Sequence, residues 1–380
     1  MRLLISFLLL AIASQLQAAE RLGWIGTYTT SNGNPTGSLG IYSFRFDPDT
    51  GVLSDIAVAA ETDNPSFMVR HPNGRFLYSV NENGTQDGFD RISAFELDRD
   101  GGQKLRLLGT VSSAGIDPCY LSIDRSGRWL FVANYAVKAS GSIAVIPIRR
   151  NGTLAEAVQV VHQQGTGPVL PRQQRPHSHQ LVTAPGGKYL VSIDLGADKI
   201  FVYRFDARVG RLTEHQVGTF AVPPGSGPRH IVFSHDGHFA YVIAELNPGV
   251  ITLRWDARRG TFTQVAVTSS LPDEYKGRRS SAEIVLHPAG KSLYISNRGD
   301  SNSVTHFNVG ADGIPVRNQL TPSGGKQPRF IDLDPAGKFL LAANQASGEL
   351  VVFPVDGDSG AVGAEISRAK VSAPVFILWK

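Results

Sequence analysis

What most limits how this chain can fold is a turn that recurs along most of its length. Glycines at 74, 127, 187, 237, 290 and 337 are separated by 53, 60, 50, 53 and 47 residues. Around them stand "HPNGRFLYSVNE", "DRSGRWLFVANY", "APGGKYLVSIDL", "SHDGHFAYVIAE", "HPAGKSLYISNR" and "DPAGKFLLAANQ". Each copy reads as a polar turn and then a strand that closes on a polar residue. Before the turn another strand opens on proline, as in "NPSF", "DPCY", "GPRH" and "QPRF", a position where proline loses no ladder hydrogen bond. After it come a third strand such as "GSIAVIPI" or "KIFVYRF", a hairpin signal such as "RNGT" or "DARVG", and a fourth strand. Four strands per repeat of about fifty residues is the size of a propeller blade.

A seventh copy is split between the ends of the chain. The C-terminal "APVFILWK" matches "NPSFMVRH" and supplies a first strand; "RLGWIGTYTT" and "GSLGIYSFRF" supply the second and third. Pairing the two termini in one sheet closes a ring and removes two exposed edges. The reading is therefore all-β, a seven-bladed β-propeller occupying residues 20–380 as a single domain. Forty glycines, 22 prolines and only 18% charged residues agree with many short strands and turns. A pair of β-sandwiches is the rival, but no break in composition supplies a linker between them.

Residues 1–19 are different in kind. "MRLLISFLLLAIASQLQAA" has one positive charge, an apolar run too short to span a bilayer, and small residues at Ala18 and Ala19. That pattern predicts a secretory signal peptide cleaved near Ala18 or Ala19, hence a periplasmic protein with no membrane attachment after cleavage. The net charge of +4 is spread along the chain without a basic run, which argues against a nucleic-acid partner. The single cysteine, Cys119, permits no intramolecular disulfide and no cysteine-rich metal module. No obligate protein partner is evident.

Aligning the repeats on their glycines gives columns. Eight residues before the glycine stand Ser66, Cys119, His179, Arg229, Ala282 and Arg329, followed in the next column by Phe67, Tyr120, Gln180, His230, Glu283 and Phe330. Seven residues after the glycine stand Asn81, Asn134, Asp194, Ala244, Asn297 and Asn344, and one further on Glu82, Tyr135, Leu195, Glu245, Arg298 and Gln345. The Asn column suits a structural role, because Asn can satisfy backbone groups where a strand ends. The ionisable residues do not: sister repeats fold with Ser, Phe, Cys or Tyr at those positions. First strands line the axis of a propeller, so His179, Arg229, His230, Glu245, Glu283, Arg298 and Arg329 are expected around one axial cavity. His177, on a two-residue insertion, is expected at its rim.

At these residues the chain resembles the seven-bladed lactonase family, which includes 6-phosphogluconolactonases and carboxymuconate-cyclising enzymes. The resemblance runs from "WIGTYT" to the C-terminal strand, and is most specific in "RQQRPHSHQ", "GPRHIVFSHDGHFAYVIAEL" and "SSAEIVLHPAGKSLYISNRGDS". It implies His179, Arg229, Glu245 and Arg298 as the catalytic group. It also implies a small sugar lactone as substrate, glucono-1,5-lactone for an exported member, with 6-phosphogluconolactone as the alternative.

Lactone hydrolysis needs a proton acceptor for the attacking water and positive charge where the oxyanion develops. Histidine suits the first role and arginine the second. Glu245 orients His179 or an arginine, or takes the proton itself. His177, Tyr120, Gln180, His230, Glu283, Asn297 and Arg329 are the substrate-binding candidates. No G-x-S-x-G nucleophile motif is present. A metal held by His177, His179 and a neighbouring His230, Asp194 or Glu283 is a rival, against which the nearby arginines would repel a cation; no metal or other cofactor is expected. A propeller acting purely as an interaction platform, or a cavity that binds a sugar acid without turnover, also fits the repeat.

Overall fold

The computed structural model describes residues 20–84, 90–98, 103–136, 139 and 141–380. The expected leader and its cleavage site near Ala18 lie outside the described residues. Seven antiparallel sheets follow one another in sequence, six of four strands and the fourth of five, since Phe220–Ala221 also pairs with Lys199–Asp206. Blade 1 joins Pro374–Trp379, Arg21–Thr27, Gly40–Phe46 and Leu53–Glu61. Blades 2 to 7 open on Met68–Arg70, Pro118–Ile123, Ser178–Thr183, Pro228–Phe233, Arg279–Leu286 and Pro328–Leu333, each followed outward by its next three strands. The opening strands touch their neighbours in an unbroken circle, with Pro374–Trp379 lying between the first strands of blades 7 and 2. The propeller and its split blade are as the repeat predicts.

The repeat works locally through its turns. Each of the six turn glycines donates its amide to the carbonyl three residues earlier, as from Gly127 to Asp124 and from Gly337 to Asp334. Their φ values lie between 71° and 75°, a left-handed region that glycine enters without a Cβ clash. Where the turn begins with aspartate, its carboxylate also caps the hairpin: Asp124 accepts amides from Ser126, Arg128 and Trp129 at 2.8–3.0 Å.

The Asn column staples each blade to the one before it. Asn81 Nδ2 donates to Thr62 Oγ1 at 2.8 Å and Asn344 Nδ2 donates to the Ser323 carbonyl at 2.8 Å, each on the segment entering from the preceding blade. Asn297 does the same. Its Oδ1 accepts from Ser270 and Ser281, its Nδ2 donates to Ser303 and Thr305, and it is fully buried. All its hydrogen-bonding capacity goes to the protein, so the structure sets it among the staples and not with the hydroxyl-recognising residues.

Between blades, apolar side chains pack face to face. Blade 1 meets blade 7 through Ile25, Phe44, Phe46, Leu341, Val352 and Ile377. Ile377 is 1% exposed and belongs to the strand that closes the ring. Ile377→Ala should therefore lower unfolding free energy by about 2–5 kcal/mol in urea titration, while Val316→Ala, on an outer strand and exposed, should leave it nearly unchanged.

Candidate active site

Five of the opening strands share a one-residue ladder shift, with Val375 the extra residue in blade 1, and the other four position the site. In blades 3, 4, 5 and 7 the ladder shifts by one residue immediately after the first pair, between Pro118 and Tyr120, Ser178 and Gln180, Pro228 and His230, and Pro328 and Phe330. The extra residues are Cys119, His179, Arg229 and Arg329. A β-bulge leaves its extra residue unpaired and re-aims the side chain. Blade 6 has a comparable shift between Ser281 and Ile284, spanning Ala282 and Glu283.

The consequence is that consecutive residues serve opposite ends of the axial channel. The end where the opening strands begin holds a cavity of about 750 Å³ lined by Glu82, Cys119, Tyr135, Arg172, His177, His179, Glu245, Arg298 and Arg329, with Arg278 and Arg279 at its mouth. Tyr120, Gln180, His230 and Glu283 line a second cavity where those strands end. The single cavity expected from the columns is thus two, and four of the expected substrate-binding residues face away from the first. His230 and His179 meet edge to face across the partition, with ring centroids 5.0 Å apart.

In the first cavity Glu245 is the hub. Its carboxylate reaches Arg172 at 2.6 Å, Arg298 at 3.0 Å and Arg229 at 3.3 Å. Burial alone would raise its pKa, but Arg298, Arg172 and Arg229 together pull it down to about 2. Such a carboxylate is a poor proton acceptor, and its contacts orient the arginines. Arg298 Nη2 also donates to Ser280 Oγ and the Ser281 carbonyl at 3.0 Å, leaving its buried Nε with no acceptor among the described residues. Arg229 is 3% exposed and is pushed down to about 10 by burial and by Arg329 and Arg298, so it stays charged at neutral pH.

His179 has the opposite electrostatics. Burial first, then Arg229, His230 and Arg329, hold its pKa well below the usual histidine range. The imidazole is neutral at pH 7, and a hydrogen bond from the ring to its own main-chain carbonyl leaves the other nitrogen as an acceptor. Cys119, beside it, is free and buried, and burial raises its thiol well above the ordinary value, so it remains protonated. Across the cavity Arg329 lies over the Tyr28 ring at 5.1 Å and 3.8 Å from Glu82, which also accepts from Ser66.

His177 is not at the rim. It is 3% exposed, stacks on Tyr135 at 4.6 Å and 16°, and donates from Nδ1 to the Tyr135 carbonyl at 2.8 Å. Asp194 anchors this segment by accepting the His177 amide at 2.9 Å. Gly196 lets it approach, since a Cβ there would lie 1.8 Å from the Arg175 carbonyl oxygen. Tyr135 in turn accepts a hydrogen bond from Arg172 at 3.0 Å, so His177 supports the arginine hub from behind. Column reasoning passed over Arg172, Glu82 and Tyr135. Glu82 and Tyr135 share a column with Glu245 and Arg298, a signal that was present, whereas Arg172 lies on a connection without counterpart in the other repeats. Among the described residues, no three His, Cys, Asp or Glu side chains gather closely enough to hold a metal ion.

A family model described as a seven-bladed β-propeller lactonase matches residues 22–379. This chain belongs to that family. A solved relative, the periplasmic gluconolactonase of Pseudomonas aeruginosa, is 36% identical with a TM-score of 0.89, covering 95% of this chain and 99% of that one. The 6-phosphogluconolactonase of Bacillus subtilis is 33% identical over 357 residues, covering 94% of this chain and 97% of the relative. That of Formosa agariphila is 32% identical over 324 residues, covering 84% and 90%. In this family of lactone hydrolases, a cavity with a neutral imidazole and several fixed guanidiniums has the groups that ester hydrolysis requires.

The depressed carboxyl of Glu245 gives a stability prediction. Its native pKa of about 2 lies below the ordinary 4.5, so its contribution is present above pH ~4.5 and is lost as the pH falls towards 2. Glu245→Gln should cost about 3–5 kcal/mol at pH 7, because the buried guanidiniums lose their counter-charge. In denaturant titrations the gap between variant and parent should narrow steadily below pH ~4.5.

Proposed function

We propose that this protein is an exported lactonase that hydrolyses glucono-1,5-lactone to the aldonic acid. The observation that carries this reading is the buried, neutral imidazole of His179 in the same cavity as guanidiniums that Glu245 holds in place. His179 takes a proton from water as the water oxygen bonds to the lactone carbonyl carbon. The resulting oxyanion is met by Arg298 and Arg229, whose charges are already fixed and need no rearrangement. As the ring C–O bond breaks, the imidazolium returns its proton to the departing oxygen; the carboxylic acid so formed releases its own proton to solvent, and the carboxylate remains opposite the arginines. Glu245 orients the guanidiniums, and His177 with Tyr135 positions Arg172 beside it. Residues 1–19 would deliver the chain to the periplasm, in keeping with the location of its Pseudomonas relative.

A second substrate, 6-phosphogluconolactone, is favoured by Arg278 and Arg279 at the cavity mouth and by the relatives that carry that activity in their names. Proton release from the two lactones, compared as kcat/KM, decides between them. A higher value for glucono-1,5-lactone, with a mature N-terminus near Ala19 in the periplasmic fraction, supports the first reading. A higher value for the phosphorylated lactone on a protein retaining residues 1–18 supports the second, and turnover of neither removes both.

His179→Ala should lower kcat by roughly 10²–10⁴-fold with the fold intact, and Arg298→Ala should cost a comparable factor. His177→Ala should raise KM more than it lowers kcat. Because the native His179 pKa lies below the usual ~6.5, kcat/KM should hold level through neutrality, with its acid limb displaced to lower pH. Extensive chelation should leave the rate unchanged.

A further inference from the structure

Four residues that break the repeat pattern, Tyr120, Gln180, His230 and Glu283, are absent from the lining of the catalytic cavity and line the opposite end of the channel. There they border a separate cavity of about 600 Å³, within the size range of small-molecule sites. Its inner wall is aromatic: Phe67 lies 4.1 Å from both Tyr120 and Phe376, and Phe330 lies 4.5 Å from Phe376, between ring centroids. Val182, Ile231, Ile284 and Trp379 extend the apolar surface outward.

The imidazole and carboxyl side chains in this wall are His230, His235, Glu283 and Asp332. His230 is 3% exposed, and its Nδ1 donates to both oxygens of Glu283 at 2.8 and 3.0 Å. Burial lowers the His230 pKa against the opposing pull of Glu283, so the ring is neutral at pH 7 and Nε2 carries a lone pair. That atom is buried and has no hydrogen-bond partner among the described residues. Asp332 supplies a second carboxyl on the cavity wall, pushed up to about 7 by burial and by the charge of Glu283. Gln180 is committed elsewhere, its Oε1 accepting the Ile231 amide at 2.6 Å.

Two carboxyl groups and several aromatic rings favour positive charge, against the single Arg229 guanidinium behind His230. Anions are selected at the catalytic end by five lining arginines against two glutamates; here the sign is reversed. We propose that this second cavity is a binding site for a small amphipathic organic cation. Its ammonium group pairs with Asp332, and its apolar body lies against Phe67, Phe330 and Phe376. The site is separate from lactone turnover and does not depend on the reading given above.

The test is calorimetric titration of the full-length mature protein with 2-phenylethylammonium, alongside 2-phenylethanol and phenylacetate, which keep the ring and change the charge. Saturable binding of the amine alone is expected, with a change in Trp379 emission. Asp332→Asn, near-isosteric, should weaken binding roughly tenfold or more, and Phe330→Ala should weaken it by removing part of the apolar wall. Affinity should rise between pH ~6 and ~8 as Asp332 ionises, while lactone turnover by Asp332→Asn stays at the parent level. No saturable binding, equal binding of the alcohol or the carboxylate, or full affinity in both variants would overturn the proposal.

Discussion

The pairing of Pro374–Trp379 with Arg21–Thr27 is the constraint on which the rest of the molecule depends. It joins residues from opposite ends of the chain, Gly23 opposite Trp379 and, beyond a one-residue shift after Gly26, Thr27 opposite Pro374. Without it, blade 1 would lose its innermost strand and the ring would open between blades 7 and 2. Both flanks would then present unpaired backbone groups and apolar faces to water. With it, every opening strand has a neighbour on each side, and the channel they surround acquires a fixed diameter. The candidate side chains are hung on those strands, on the inner ends of the second strands or on the links between blades, so a contact among residues some 350 positions apart sets distances of a few ångströms in the channel.

Inside the channel the dominant problem is electrostatic. Arg229 and Arg298 are withdrawn from water and face Arg329 as well, an arrangement that desolvation and repulsion both oppose. Glu245 compensates for it by meeting three guanidiniums at once, and Glu82 answers Arg329 on the other side. This explains why the most buried carboxylate of the cavity is also its weakest base. The task of accepting a proton passes to His179, which the same cations hold neutral. One charge distribution therefore separates the roles: carboxylate as scaffold, imidazole as base, guanidinium as anion partner.

The bulges in blades 3, 4, 5 and 7 decide which side chains share a chamber. A regular strand alternates its faces, and reading the columns on that rule gathers His179, Gln180, Arg229 and His230 around one space. With one unpaired residue inserted, His179 lines the strongly cationic chamber and Arg229 reaches its Glu245, while Gln180 and His230 line the aromatic chamber behind it. The edge-to-face contact of His179 with His230 is where the two chambers touch.

The sequence by itself determined the repeat, the number of blades and the split closing blade. These follow from local chemistry, turn glycines, opening prolines and polar strand ends, which recurs and can be aligned with itself. It also marked the residues that depart from the pattern, since a repeat needs none of them. Only the tertiary structure decided that Arg172 joins the hub, because a link without counterparts leaves no periodic trace. It also decided that His177 is buried behind Tyr135, because stacking and backbone anchoring depend on a neighbouring blade. The commitment of Asn297 to a staple and the division of the channel were likewise settled there. Both arise from hydrogen bonds and ladder shifts between segments distant in sequence, which one-dimensional spacing does not encode.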